Sequence, residues 1–209
     1  MNNITRHMAL ACGLLFLAGC FGGPSPPARF YTLTQVETSS GAVAPSPEKL
    51  LVVGPVTIPD YLDRPQIVTR SGTNELVIAE FNRWGGFLGN DISRALVAEL
   101  STRLGPSGFT VLPRQAIPHT AFKTGYRAPV DIARFDGILG KEVVLNATWR
   151  LLMKQGLNEQ PLLSKEITII EPAGGGSYED LVAAMARALQ KFGASLFDSI
   201  TAQSVGKTP

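Results

Sequence analysis

The chain has 209 residues, of which 44% are hydrophobic, and 19 Lys and Arg stand against 17 Asp and Glu. A formal net charge of +2, with no basic stripe or cluster, argues against a nucleic-acid or polyanion binder. Two cysteines and two histidines offer neither a disulfide framework nor a metal site built from several His and Cys ligands.

Chain order begins with Arg6, the free N-terminus and an apolar stretch from Met8 to Leu17. That stretch has the length of a signal peptide and is too short for a membrane-spanning helix, which needs ~20 apolar residues. Leu17-Ala18-Gly19-Cys20 follows and resembles the lipobox of bacterial lipoproteins, so residues 1–19 are expected to leave and Cys20 to carry acyl chains. An ordinary signal peptide with a cysteine near its cut is the alternative. Cys12 would depart with the signal, leaving one cysteine in 190 residues and 18 basic against 17 acidic side chains. Two or more acyl chains anchor a protein stably where one holds it only marginally, at ~0.8 kcal/mol per buried methylene. Phe21 follows Cys20, where Asp would act as the inner-membrane retention signal of enteric bacteria; its absence points to the outer membrane.

Residues 20–29 hold the lipidated cysteine and a Gly/Pro tether, "FGGPSPPA", which cannot form a regular ladder. Eight such residues span up to about 25 Å at ~3.3 Å each. Residues 30–203 are read as a single domain, with 204–209 as a tail. Phe30 to Val36 alternates as a first strand; Leu50 to Ile58 is a buried-strand candidate in which Pro55 requires an edge or a bulge. "PDYLDRPQIVTR" is a turn and a strand ending at Arg70, and "SGTN" folds it into a hairpin with Glu75 to Phe81.

A helix is expected from Asn90 to Leu104, since Ile92, Leu96, Leu100 and Leu104 share one face and Gly105-Pro106 stops it. Phe109 to Pro113 is a short strand, Val130 to Ile138 and Glu142 to Lys154 form a long hairpin, and Leu162 to Ile170 is its third strand. A last helix begins after Ser177, with Asp180 in a capping-box-like position and Leu181, Met185, Leu189, Phe192, Leu196 and Ile200 as its apolar stripe. Together these elements predict an α/β (α+β-like) domain, a mixed and largely antiparallel sheet packed with two main helices.

Enzymatic chemistry finds little footing, and no catalytic residue, metal or cofactor is expected. His7 leaves with the signal and His119 sits in a proline-punctuated loop, "PRQAIPHTAF". Gly174 to Gly176 lack the Lys-Ser/Thr of a phosphate-binding loop and serve to turn the chain into the last helix.

The segment Ile58 to Leu100, with "YLDRPQIVTR" (Tyr61 to Arg70), the following hairpin and Arg83-Trp84, resembles the ABC-type transport auxiliary lipoproteins, in particular the PqiC group. "RFYTL", Arg29 to Leu33, after a lipobox and a Pro-rich tether, fits as well; "RWGGFLGN" departs, being less polar than expected after the Trp. The resemblance implies a fold similar to the N-terminal domain of TolB and an outer-membrane lipoprotein facing the periplasm. Such a protein works beside an MCE-domain protein (PqiB-like) and its inner-membrane partner in lipid transport and envelope integrity. Tyr61, Leu62, Asp63, Arg64 and Trp84 are the candidate partner-binding residues, since apolar area set among charges on a turn suits a protein interface. The structural alternative has Tyr61 packing on the sheet, Asp63 and Arg64 organising the turn, and Trp84 in the core. A periplasmic lipid carrier with an acyl-chain groove is the alternative function, and a homo-oligomer is left open.

Overall fold

In the computed structural model, residues 25–33, 49–118 and 122–205 are described. They form β1 (Arg29–Tyr31), β2 (Lys49–Thr57), β3 (Gln66–Arg70), β4 (Leu76–Trp84), α1 (Leu88–Leu104), β5 (Phe109–Pro113), β6 (Thr124–Ile138), β7 (Glu142–Gln155), β8 (Asn158–Pro172) and α2 (Tyr178–Val205). Cys20, residues 34–36 and His119 lie outside the described residues.

The longest ladders are antiparallel: β6, β7 and β8 run as a meander in a five-stranded sheet ordered β5-β2-β6-β7-β8. Within it β2 pairs parallel to both β5 and β6, so the predicted mixed sheet is observed. Pro55 sits where the β2–β6 register shifts between Val53 and Val56. Of the two placements open to that proline, the bulge is therefore the one adopted, in a strand with neighbours on both sides. A second sheet, ordered β1-β4-β3, joins the parallel pair β1–β4 to the hairpin β3–β4.

The apolar stripes land as their spacing predicts. Ile92, Leu96, Leu100 and Leu104 on α1, and Leu181, Met185, Leu189, Phe192, Leu196 and Ile200 on α2, are all buried in one core with Leu51, Phe135, Leu145 and Trp149 of the large sheet. At the helix crossing a Cβ added to Gly193 would stand 2.5 Å from Glu99 Cγ, so glycine permits the close approach. Where α2 starts, the Asp180 N–H donates to Ser177 Oγ at 3.1 Å and the Ser177 N–H donates to Asp180 Oδ2 at 3.1 Å. The Ser177 hydroxyl also donates to Asp180 Oδ2 at 2.6 Å, and that bond first, with the Ser177 N–H next, holds the Asp180 carboxyl below the usual carboxylate range.

The strands run longer than their sequence patterns suggest. The meander turns at Gly156, with a φ of +62°, and "QGLNEQ" belongs mostly to β7 and β8. Polar residues at 158–160 pair with residues 153–155, so ladder bonds carry the hairpin past the end of its apolar pattern.

Candidate functional site

A bulge in β6 creates the site. Its register against β7 shifts between Ile132 and Arg134, so Phe135 faces the helices with Ile132 although the two are three residues apart. Gly137 lies on that same side, since a Cβ there would meet Leu181 Cδ1 at 3.0 Å. Asp136, between them, is thereby turned to the opposite face, and it is nevertheless completely buried.

Three groups close over its carboxylate. The Arg70 Nε–H, at the end of β3, donates to both oxygens at 2.9 and 3.0 Å; the Arg134 Nε–H donates to Oδ1 at 2.8 Å; the Tyr61 hydroxyl donates to Oδ2 at 2.7 Å. The Arg70 guanidinium also lies over the Tyr61 ring, 5.8 Å from its centroid, and donates to the Thr73 carbonyl at 2.9 Å. A buried carboxylate needs paired charge and filled lone pairs, and this arrangement supplies both. Burial, followed by the neighbouring Asp136, pushes the Tyr61 phenol up to about 12. The bond to Asp136 raises Arg70 further above its already high range.

The "YLDRP" turn is tied down through Tyr61. Its backbone is wound by bonds from Leu62 N–H to Pro59 O, Asp63 N–H to Asp60 O and Arg64 N–H to Leu62 O, at 2.9, 3.2 and 2.9 Å. Leu62, expected to present apolar area on the turn, instead points inward and is 2% exposed, because the tight winding turns its side chain onto the core. Trp84 is likewise buried, and its backbone N–H donates to Pro65 O at 2.7 Å. Asp63 is exposed; Tyr61 and Arg64 are half-buried. Of the five candidates, then, the structure sets Tyr61, Asp63 and Arg64 at the surface and places Leu62 and Trp84 beneath them. The Nε atoms of Arg64 and Arg83 are buried without a hydrogen-bond partner among the described residues.

Asp136, Arg70 and Arg134 were not foreseen as a cluster. A signal was available: "RFDGI" sets an acid between Phe135 and Gly137-Ile138 late in a strand, where it must either reach water or find a cation.

A cleft of about 500 Å³ lies between β1 and the start of α2, walled by Phe30, Leu33, Val182, Ala183 and Ala186, with Arg29 and Glu179 at its rim. No helix among the described residues is long and apolar enough to cross a membrane.

Residues 31–196 match the family described as ABC-type transport auxiliary lipoprotein component. The chain is 26% identical over 186 residues to the intermembrane transport lipoprotein PqiC of Escherichia coli K12, covering 89% of this chain and 92% of that protein; PqiC of Shigella flexneri matches equally. Among solved structures, an uncharacterized protein shares the fold with a TM-score of 0.67 at 23% identity, over 84% of this chain and 99% of its own. Protein XCC0632 from Xanthomonas campestris shares it with a TM-score of 0.63 at 20% identity, over 87% of this chain and all of its own.

Proposed function

Because the chain belongs to the family of ABC-type transport auxiliary lipoprotein components, we propose that it is the outer-membrane-anchored, non-enzymatic subunit of an intermembrane lipid transport system. The observation that carries this reading is the extent of the match, 31–196, which takes in both sheets and most of both helices. Similarity to PqiC over nine-tenths of each chain supports the intermembrane system in particular.

In this reading Cys20 holds the protein in the periplasmic face of the outer membrane, and the tether sets the furthest distance, about 30 Å, at which the domain can stand from it. The turn 59–65 docks an MCE-domain protein that crosses the periplasm from its inner-membrane partner. Asp63, Arg64 and the edge of Tyr61 form the contact; Leu62 and Trp84 set their positions from below. The Asp136 cluster makes the turn rigid before a partner arrives, which lowers the ordering cost of association.

Replacing Tyr61 and Arg64 together tests this. Capture of an MCE-domain protein by the lipidated chain should fall at least tenfold while the thermal transition stays cooperative; a melted domain would mean that the turn is purely structural. The carrier reading draws its support from the cleft at β1 and α2, whose walls include Phe30, Leu33 and Val182. Stoichiometric phospholipid in the purified protein, lost when Ala183 is replaced by Trp, would establish it instead.

A further inference from the structure

Most of the large exposed apolar side chains belong to the three-stranded sheet and the loop that follows it. Of the seven large hydrophobic side chains that are exposed among the described residues, five lie on or beside the three-stranded sheet: Phe30, Leu76, Val77, Ile78 and Phe87. Phe30 is 66% and Phe87 76% exposed. The two are joined through the backbone, since Gly85 N–H donates to Tyr31 O at 2.7 Å and Phe87 follows two residues later. Single exposed apolar residues are ordinary, but such a concentration calls for a covering surface.

The tether enters at this same end. Arg29, which opens β1, stands nine residues after Cys20, so an extended tether keeps β1 within about 30 Å of the lipid attachment point. Pro26 and Pro27 of the tether cannot extend the β1–β4 ladder. Carried backwards, the β1–β4 register that pairs Arg29 with Asn82 would set Pro27 and Pro26 beside Glu80 and Ala79, and neither proline can donate to a ladder. Ser25 to Ala28 are exposed, and among the described residues no strand pairs with β4 before Asn82 on that side.

The other end of β6 lies far from this sheet. The three-stranded sheet is bound to β6 at Asp136, whereas the β7–β8 turn with fully exposed Leu157 meets the start of β6, where Gly156 N–H donates to Lys123 O at 2.7 Å. Twelve residues of strand separate Thr124 from Asp136, about 40 Å at ~3.3 Å each. Charges around the small sheet are balanced, Arg29, Arg64, Arg70 and Arg83 against Asp60, Asp63, Glu75 and Glu80, so contact there is apolar rather than electrostatic.

We propose that the three-stranded sheet is the membrane-facing end of the domain, with Phe30 and Phe87 seated in the headgroup region of the phospholipid leaflet that holds Cys20. This rests on the lipid anchor argued above. Insertion at headgroup depth leaves the β4 edge hydrated while the side chains reach the acyl boundary. Lipid fixes the chain to the membrane; the aromatic pair fixes the domain's orientation on it, holding the 59–65 turn close to the surface that a periplasm-crossing partner must reach.

The test uses the full chain made with its own signal and placed in vesicles of phosphatidylethanolamine and phosphatidylglycerol. Phe30→Trp, Phe87→Trp and Leu157→Trp are compared with the parent, whose Trp84 and Trp149 are buried and give a constant background. Lipids brominated on the acyl chain should quench the added tryptophan about twofold at 30 and 87 and not at 157, equally at about 0.05 and about 0.5 M salt. Protein that floats with vesicles while 30 and 87 stay as unquenched as 157 overturns the docking and leaves the anchor standing. Added tryptophans that are shielded yet unquenched would mean that another protein copy covers this face, which also overturns it. Failure to float at all would remove the anchor, and the proposal with it.

Discussion

Asp136→Asn isolates the electrostatic joint between the two sheets. The substitution keeps the volume but takes the negative charge from a site with no solvent access, leaving the Arg70 and Arg134 guanidinium groups facing an amide. Breaking a fully buried ion pair by removing one partner costs about 3–5 kcal/mol. The cations here are less enclosed than the acid, at 17% exposure for the Arg70 side chain and 37% for Arg134, so water recovers part of their solvation. A loss of about 2–3 kcal/mol follows, and the amide nitrogen must in addition face either an arginine or the Tyr61 hydroxyl, which can turn to accept from it. Urea unfolding followed by circular dichroism measures it: with a slope of about 2 kcal/mol per M, the midpoint should drop by roughly 1–1.5 M. Arg70→Met alone should cost less, and the double variant should cost clearly less than the two singles added together, by about 1 kcal/mol or more. A midpoint change below about 0.3 M for Asp136→Asn would refute the reasoning, since the carboxylate would then hold nothing together.

Tyr61 carries the pH signature. Its phenol ionises at about 12 when folded and near 10 when unfolded, so the native state holds the proton more tightly; this stabilisation is complete below pH 10 and is lost between about 10 and 12. Ultraviolet titration of the phenolate should show one late tyrosine that disappears in Tyr61→Phe. Gly137→Ala drives a Cβ into the Glu142 carbonyl and to 3.0 Å from Leu181 Cδ1, and should destabilise by about 2 kcal/mol or more in thermal unfolding, whereas alanine at the open Gly72 should be close to neutral. Ser177→Ala removes the first-turn acceptor of α2 and should cost about 1 kcal/mol, with the Asp180 titration followed by NMR moving back up towards 3.8. Glu171 receives Arg187 Nε–H at 2.9 Å and Lys191 Nζ at 2.5 Å, and its carboxyl is held low by Lys191 first and Arg187 next. The stability it lends is therefore present above pH ~4.5 and fades as pH falls through its folded pKa, so Glu171→Gln should flatten the acid limb of a melting-temperature profile.

Helices were legible because one period carries their whole argument: Ile92 to Leu104 and Leu181 to Ile200 point inward by spacing alone. Strand positions were legible within a few residues, but pairing was not. Nothing local in "LLVVGPVTI" states that β2 lies parallel between β5 and β6, partners drawn from 60 to 75 residues further along. The site fared similarly. The turn at 59–65 could be marked from its mixed polarity, yet the burial of Leu62 depends on how tightly the backbone winds, and that is a tertiary result. Asp136 lay hidden because its partners stand 2, 66 and 75 residues away and because the bulge before it decides which face it takes. A bulge adds one residue to a period of two, so a pattern read straight through it assigns the wrong side.

The central claim is that this domain docks a protein rather than carries a lipid, and a photo-crosslinking residue at position 63 of the lipidated chain, activated in intact cells, tests it most directly. The account predicts a crosslink to an MCE-domain protein, identified by mass spectrometry, that is absent when the same residue stands at 157. A crosslink at 63 to phospholipid alone, or to the MCE-domain protein only from 157, would contradict it.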